Sequence, residues 1–148
     1  MNLCDSNIWL ALTLSAHIHH RAAKDWLDSV SEPASVIFCR ATQQSFLRLL
    51  TNQAVLGAFG NAPLTNRQAW EIFELLLADD RIVLRSDEPA GISLRWKVYS
   101  SRDTASPKMW MDSYLAAFAL SAQSRMITND AAYKQFDGLD LLVLGRRD

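Results

Sequence analysis

The chain has 148 residues, of which 49% are hydrophobic and 21% are charged, and its formal net charge is -1. This length suits one domain with a substantial core, so residues 1–148 are expected to form a single domain. Polar residues break the apolar runs well before the roughly 20 positions that span a bilayer, and no secretory pattern is visible at the amino terminus. A cytoplasmic protein without membrane association is therefore expected, and the near-neutral charge argues against one that coats nucleic acid by bulk electrostatics.

Short apolar segments alternate with amphipathic ones along the whole chain. In chain order, strands are predicted over residues 2–4, 35–39, 82–84, 126–128 and 141–144. Helices are predicted over residues 8–12, 17–30, 41–50, 65–77, 88–101 and 106–120, with one or two helical turns over residues 131–136. The helix at Thr65 begins with a capping-box pattern, and Gly57, Gly60 and Pro63 predict a loop before it.

This alternation predicts an α/β fold, in which a central, mostly parallel sheet is covered by helices on both faces. In such sheets the ligand crevice lies beyond the carboxyl ends of the strands. Asp5 and Asp130 follow the first and fourth predicted strands. We therefore expect them at one edge of the sheet, where Asp112 on an intervening helix can reach them.

The helix that carries Asp112 is almost wholly apolar, which predicts that it is buried. An isolated ionised carboxylate in an apolar interior costs many kcal/mol, so a cation is expected near Asp112. Ala116 and Ala119 share its helix face and leave room for one. Asp5 and Asp130 could each serve as a helix N-cap, but that alternative does not suit an acid in the middle of a helix.

Three neighbouring carboxylates repel one another unless some are protonated or a cation neutralises them. Ligation by carboxylate oxygens, without histidine or thiolate, fits Mg²⁺ better than zinc or copper, and Mn²⁺ is also possible. A hard cation with open water positions can orient a phosphodiester and activate a water for hydrolysis. The hypothesis from these residues is a metal-dependent nuclease.

Several segments resemble the PIN-domain family, and more closely the VapC-type ribonuclease toxins of prokaryotic toxin-antitoxin pairs. These segments are residues 3–7, 46–48, 112–119 and 128–130, followed by residues 136–139. Together they extend from one end of the chain to the other. The resemblance implies a PIN-like, three-layer α/β/α domain that hydrolyses RNA phosphodiester bonds with Mg²⁺, and the choice of RNA over DNA rests on it alone.

The resemblance also implies roles for individual residues. Asp5 and Asp112 match the acids that hold the metal, Asp130 matches the later acid that completes the catalytic site, and Thr128 matches the hydroxyl residue beside it. Asn7 is a candidate for a hydrogen bond near the site, with a turn-forming role as its alternative.

The third predicted helix departs from the family pattern. Relatives commonly carry a glutamate there, whereas this chain has Thr42, Gln43, Gln44 and Ser45. Whether Gln43, Gln44 or Ser45 replaces the acid is left open, and Gln44 is counted with Asn7 and Thr128 among the candidates around the metal ligands.

A basic segment precedes the helix of Asp112. It contains one acid, Asp103, and four cations, Arg95, Lys97, Arg102 and Lys108. A solvated face explains this charge on its own. With the resemblance, the same cations become candidate RNA contacts, because basic residues position phosphates and the interleaved Trp96, Tyr99 and Trp110 can stack on bases.

The resemblance further implies a cognate antitoxin that covers the acidic pocket, and a homodimer. The alternative function is a degenerate PIN domain that binds a partner without cutting, which the missing acid of the third helix motivates. A phospho-acceptor signalling domain is disfavoured, because Arg85 rather than an aspartate follows the third predicted strand.

Overall fold

The structure, a computed structural model, describes residues 1–145. Its strands are β1 (Asn2–Cys4), β2 (Val36–Cys39), β3 (Ile82–Arg85), β4 (Arg125–Thr128) and β5 (Leu141–Val143). Its α-helices are α1 (Ser6–Thr13), α2 (His20–Asp28), α3 (Arg40–Leu50), α4 (Gln53–Ala58), α5 (Asn66–Leu77), α6 (Ile92–Ser100) and α7 (Met109–Ser121), and a 3-10 helix spans Ala131–Gln135. None of the helices in this part of the chain has the length and apolar character needed to cross a membrane.

The five strands form one sheet in the order β3-β2-β1-β4-β5, and every neighbouring pair is parallel. The first strand is therefore central, with Leu3 aligned to Ile37 on one side and to Met126 on the other. The prediction of an α/β fold is confirmed, and the sheet is wholly parallel where the sequence predicted a mostly parallel one.

Helices cover both faces of this sheet. Successive residues of a strand point to opposite faces. On β1, Leu3 packs in the apolar cluster formed with α6 and α7, whereas Cys4 packs in the cluster formed with α1, α2, α3 and α5. The near-continuous apolar strands follow from burial on both sides, and the predicted three-layer arrangement is confirmed.

An aromatic cluster fixes α1 against the sheet. The ring of Trp9 stacks on Phe38 of β2 with 3.6 Å between ring centroids and 11° between planes. Phe38 also meets Phe46 of α3 and Phe73 of α5. All four side chains are buried, so the start of α1, where Asp5 lies, is held in a fixed position relative to β2.

The structure differs from the sequence-based prediction between residues 52 and 64. A loop was predicted there, but the chain forms α4, in which the side chain of Asn52 caps the helix by accepting from the backbone N–H of Val55. Leu56 is buried against the core, which stabilises the short helix. Gly60 then adopts a φ of +74°, where a residue with a side chain would be strained.

Candidate active site

The strand order places a crevice between β1 and β4. The chain runs outward from β1 through β2 to β3 and then crosses to the other side of β1 for β4 and β5. Such a reversal opens a crevice at the carboxyl ends of the two strands where the order switches. Asp5 follows β1, and Asp130 lies just beyond β4. The expectation that both acids lie at one edge of the sheet is confirmed.

A cavity of about 280 Å³ lies at this edge. The side chains that line it include the three predicted acids, one predicted amide, one of the three open candidates of α3 and two unpredicted groups: Asp5, Asp112, Asp130, Asn7, Ser45, Arg48 and Tyr133. We call it the acidic cavity. The placement of Asp112 beside the two strand-end acids means that α7 supplies one wall of the crevice.

Asp5 is the most enclosed of the three acids, with 4% of its surface exposed. One carboxylate oxygen, Oδ1, accepts from the backbone N–H of Ile8 at 3.0 Å and caps α1, and Oδ2 accepts from the hydroxyl of Thr128. Burial raises the pKa of Asp5 to about 6, and the negative charge of Asp112 adds to the effect. A cation in the cavity would stabilise the ionised form of this carboxylate.

Thr128 connects the ends of β1 and β4. Its hydroxyl is fully buried, donates to Asp5 and accepts from the backbone N–H of Asp130 at 3.0 Å. The side chain does not line the acidic cavity, so it acts through Asp5 and Asp130. The role of Thr128 as a residue behind the metal ligands stays a prediction.

We expect Thr128→Val to destabilise the protein by about 1–3 kcal/mol, because the backbone N–H of Asp130 loses its acceptor and the buried carboxylate of Asp5 loses a donor. The loss of that donor also raises the pKa of Asp5 further, so affinity for Mg²⁺ should fall. Urea unfolding and Mg²⁺ titration measure the two effects. Thr104→Val, which removes an exposed hydroxyl, is the control, and equal behaviour of the two variants would contradict this role for Thr128.

Asp112 does not lie in the middle of a buried helix, as the sequence suggested. The helix begins at Met109, so Asp112 is in its first turn and is half-buried. Carboxylates are favoured there by the helix dipole. Tyr133 donates its hydroxyl to Asp112 at 3.3 Å, whereas burial and the charge of Asp130 raise the pKa of Asp112.

Asp130 is exposed, and its Oδ1 accepts from the backbone N–H of Ala132 at 2.8 Å. It therefore caps the 3-10 helix as Asp5 caps α1. Asp5 and Asp130 thus have the N-cap role that the sequence allowed for them. Each residue can cap a helix and still line the cavity. A carboxylate offers about four acceptor positions, and each cap uses one of them.

The three acids share a cavity but are not grouped around one point. Within residues 1–145, no three His, Cys, Asp or Glu side chains are placed to hold one metal ion together. The capping bonds direct Asp5 and Asp130 toward their own helices, and unneutralised carboxylates repel one another. Convergence of all three on a single ion is thus not present in this structure, and the pair Asp5 and Asp112 stays a prediction as metal ligands.

The third helix presents Ser45 to the acidic cavity. Gln44, the residue singled out from the sequence, is exposed and lines a neighbouring groove, whereas Gln43 is buried and accepts from Arg40. The structure therefore favours Ser45 over both glutamines as the side chain that faces the acids from α3. Its hydroxyl is uncharged, whereas the resemblance implied a glutamate in this helix.

The charged Arg48 and the phenolic Tyr133 also line the cavity, and neither was predicted to have a role in the site. Arg48 supplies a positive charge to the cavity wall, whereas the cation whose charge lowers the pKa of Asp112 is Lys108. Tyr133 lies three residues after Asp130, on the 3-10 helix. Helical spacing could therefore have predicted that its side chain lies on the same side of that helix as Asp130. Arg48 belongs to the segment 46–48 that resembles the family, but which face of α3 it occupies depends on how that helix packs.

The basic segment lies outside the acidic cavity. Lys97 and Arg102 line a separate groove with Trp96 and Trp110, and Arg95 lines another with Tyr99. Lys108 precedes α7, and its charge lowers the pKa of Asp112. These cations are therefore placed to contact RNA beyond the cavity, and their role as RNA contacts stays a prediction.

The donor groups of the acidic cavity suit a hard divalent cation. Carboxylate, amide and hydroxyl oxygens line it, and no histidine or cysteine does so among the described residues. Oxygen ligands of this kind favour Mg²⁺ or Mn²⁺ over zinc and copper. The raised pKa values of Asp5 and Asp112 indicate unfavourable negative charge that such an ion would offset.

The sequence of this chain, with its acids at the switch point of a parallel sheet, is similar to those of known proteins. A model of the PIN-domain family matches residues 3–139. Ribonuclease VapC41 of Mycobacterium tuberculosis is 53% identical over 146 residues, which cover 99% of this chain and 100% of that protein. The chain therefore belongs to the PIN-domain family and, within it, to the VapC group. Ribonuclease VapC29 of the same species is 28% identical over 142 residues, covering 96% of this chain and 94% of that protein.

Solved structures show the same fold at low sequence identity. VapBC2 from Rickettsia felis, bound to a DNA fragment from its promoter, matches with a TM-score of 0.65 and 11% identity, covering 96% of this chain and 97% of that one. Mycobacterium tuberculosis VapC20, a sarcin-ricin loop cleaving toxin, matches with a TM-score of 0.64 and 14% identity, covering 95% and 98%. These matches support the fold.

Proposed function

We propose that the chain is a Mg²⁺-dependent endoribonuclease that hydrolyses RNA phosphodiester bonds. The observation that carries the proposal is the acidic cavity, in which Asp5, Asp112 and Asp130 share one crevice at the carboxyl ends of β1 and β4. Membership of the VapC group and the printed name of its relative, Ribonuclease VapC41, support RNA as the substrate.

Asp5 and Asp112 would hold the metal, and the carboxylate of Asp130 would add a third negative charge to the wall of the same cavity. When bound, Mg²⁺ supplies a charge that polarises the phosphodiester and makes a water more acidic. Thr128 keeps Asp5 oriented, and Tyr133 does the same for Asp112 through its hydroxyl. Asn7 and Ser45 line the same cavity and can orient a water or a phosphate oxygen by hydrogen bonds.

Cleavage of a labelled single-stranded RNA tests the proposal. The purified protein should cut it with Mg²⁺ or Mn²⁺ and stop when EDTA is added, and the same sequence as DNA should be cut far more slowly. If the wild-type protein binds the RNA but cuts nothing with either metal, the non-cleaving alternative replaces this function. No observation on the described residues favours that alternative at present.

We also propose a cognate antitoxin that covers the acidic cavity, a homodimeric state and a cytoplasmic location. The antitoxin partner is supported by structures of toxin-antitoxin complexes that share the fold, including one from Klebsiella pneumoniae. Leu94 and Val98 of α6, exposed by 71% and 67%, support a subunit interface. Light scattering of the purified protein, alone and with the antitoxin, measures both associations.

A further inference from the structure

A second groove adjoins the acidic cavity. It has a volume of about 470 Å³ and shares Ser45, Arg48 and Met111 with that cavity. Its other wall residues include Arg40, at the start of α3, and Gln44. We call it the arginine groove. Because the two spaces share a wall, a strand of nucleic acid that enters one can continue into the other.

Arg40 is held in place by a buried amide. Its Nη1 donates to Oε1 of Gln43 at 2.5 Å, and Gln43 is 3% exposed. An amide oxygen orients the guanidinium without neutralising its charge, whereas a carboxylate in the same place would form an ion pair. Gln43 therefore leaves the full positive charge of Arg40 available to a ligand.

Arg48 lies at the boundary of the two spaces. Its guanidinium makes no hydrogen bond or ion pair within residues 1–145. Arg40 likewise forms no ion pair in that part of the chain. An additional cation, Arg85, lies 5.9 Å from the ring centroid of Phe118, which also lines the arginine groove. The opposing charge is Glu88, which accepts from the hydroxyl of Tyr114 at 2.8 Å.

We propose that the arginine groove binds a backbone phosphate of RNA next to the phosphate that occupies the acidic cavity, with Arg40 and Arg48 as its ligands and Gln43 as the residue that positions Arg40. The inference rests on the proposed function for the identity of the ligand. The planar guanidinium suits phosphate because it donates two parallel hydrogen bonds. Binding here draws the strand across the acids, whose own charge repels it.

Gln43→Glu separates this inference from a simpler idea. If the missing acid of α3 only weakened the metal site, a carboxylate at position 43, which is buried outside the acidic cavity, would leave the affinity for RNA in EDTA unchanged. In our proposal the new carboxylate pairs with Arg40, lowers the positive charge of the groove and weakens RNA binding. The two ideas therefore predict different RNA affinities for the same substitution.

The experiment measures binding of a fluorescein-labelled, mixed-sequence, single-stranded RNA by anisotropy in EDTA, so that nothing is cut. Wild type is compared with Arg40→Gln, Arg48→Gln and Gln43→Glu across a series of salt concentrations. Arg125→Gln is the matched control. Arg125 begins β4, so it lies at the amino-terminal ends of the strands, whereas both the acidic cavity and the arginine groove lie toward the carboxyl-terminal ends. Each arginine variant should bind about tenfold more weakly at low salt, and the slope of log K against log salt should fall by about one.

A purely structural role for Gln43 would change stability but not the salt slope, so the slope is the decisive measurement for Gln43→Glu. If the two arginine variants match Arg125→Gln in affinity and slope while the wild type cuts RNA with Mg²⁺, the inference is overturned and the proposed function stands. If binding depends on both arginines but no cleavage occurs with metal, the function fails and the binding groove stands. Exposed Arg40 keeps the test usable if the buried Gln43→Glu variant fails to fold.

Discussion

We expect Asp112→Asn to reduce the rate of RNA cleavage by at least about a hundredfold, because in the proposed function it removes one charged metal ligand, and this exceeds the effect typical of residues behind the ligands. The side chain is half-buried in the first turn of α7 and accepts from Tyr133. Asparagine has nearly the same shape and can keep that hydrogen bond, so the fold should be retained. The measurement is the cleavage rate at saturating Mg²⁺.

Asp140→Asn is the matched control for this substitution. Asp140 precedes β5 at the edge of the sheet opposite the cavity and pairs with Arg125 on the surface at 2.9 Å. Its removal should leave the cleavage rate unchanged and cost at most about 1 kcal/mol of stability. Equal rates in Asp112→Asn, Asp140→Asn and the wild type would remove Asp112 from the catalytic site.

Asp5→Asn should make the metal-free protein more stable while abolishing its response to Mg²⁺. The pKa of Asp5 rises from 3.8 to about 6 on folding, which means that the folded state disfavours the ionised form. At 1.36 kcal/mol for each pKa unit, the charged side chain destabilises the folded protein by roughly 3 kcal/mol at neutral pH. Asparagine removes the charge, so we expect a gain of about 1–3 kcal/mol in EDTA.

The pH dependence of this effect has a definite sign. A raised pKa in the folded state gives stability that is fully present below the unfolded value and is lost as pH rises through the folded value. The wild type in EDTA should therefore lose stability between about pH 4 and pH 6, while Asp5→Asn loses less there. Urea unfolding at several pH values, with and without Mg²⁺, measures both effects. A variant that is less stable in EDTA, or that Mg²⁺ still stabilises like the wild type, would contradict the prediction.

Much of the fold follows from local sequence patterns. Buried parallel strands read as short apolar runs, and because such strands share one direction, residues that follow them must lie at one edge of the sheet. This reasoning placed Asp5 and Asp130 together without any knowledge of contacts. Whether residues 1–148 form a single domain stays a prediction, since the described part ends at residue 145.

Side-chain directions on helices were harder to predict, because they depend on packing between elements. The start of α7 at Met109 moved Asp112 from a helix interior to a first turn. Adjacent residues of α3 have three different environments, with Gln43 buried, Gln44 in the arginine groove and Ser45 at the acids. A rotation of that helix by one residue would change every one of these assignments, and sequence periodicity does not resolve so small an angle.

The pairing of β1 with β4 has a consequence for synthesis of the protein. The hydrogen bond from Thr128 to Asp5 joins residues that are 123 positions apart, and β1 cannot complete its place in the sheet until β4 is available. A chain that folds as it leaves the ribosome therefore holds its first acid early and gains Asp112, Asp130 and Tyr133 only near the end of translation. Unfinished chains would therefore lack the assembled cavity.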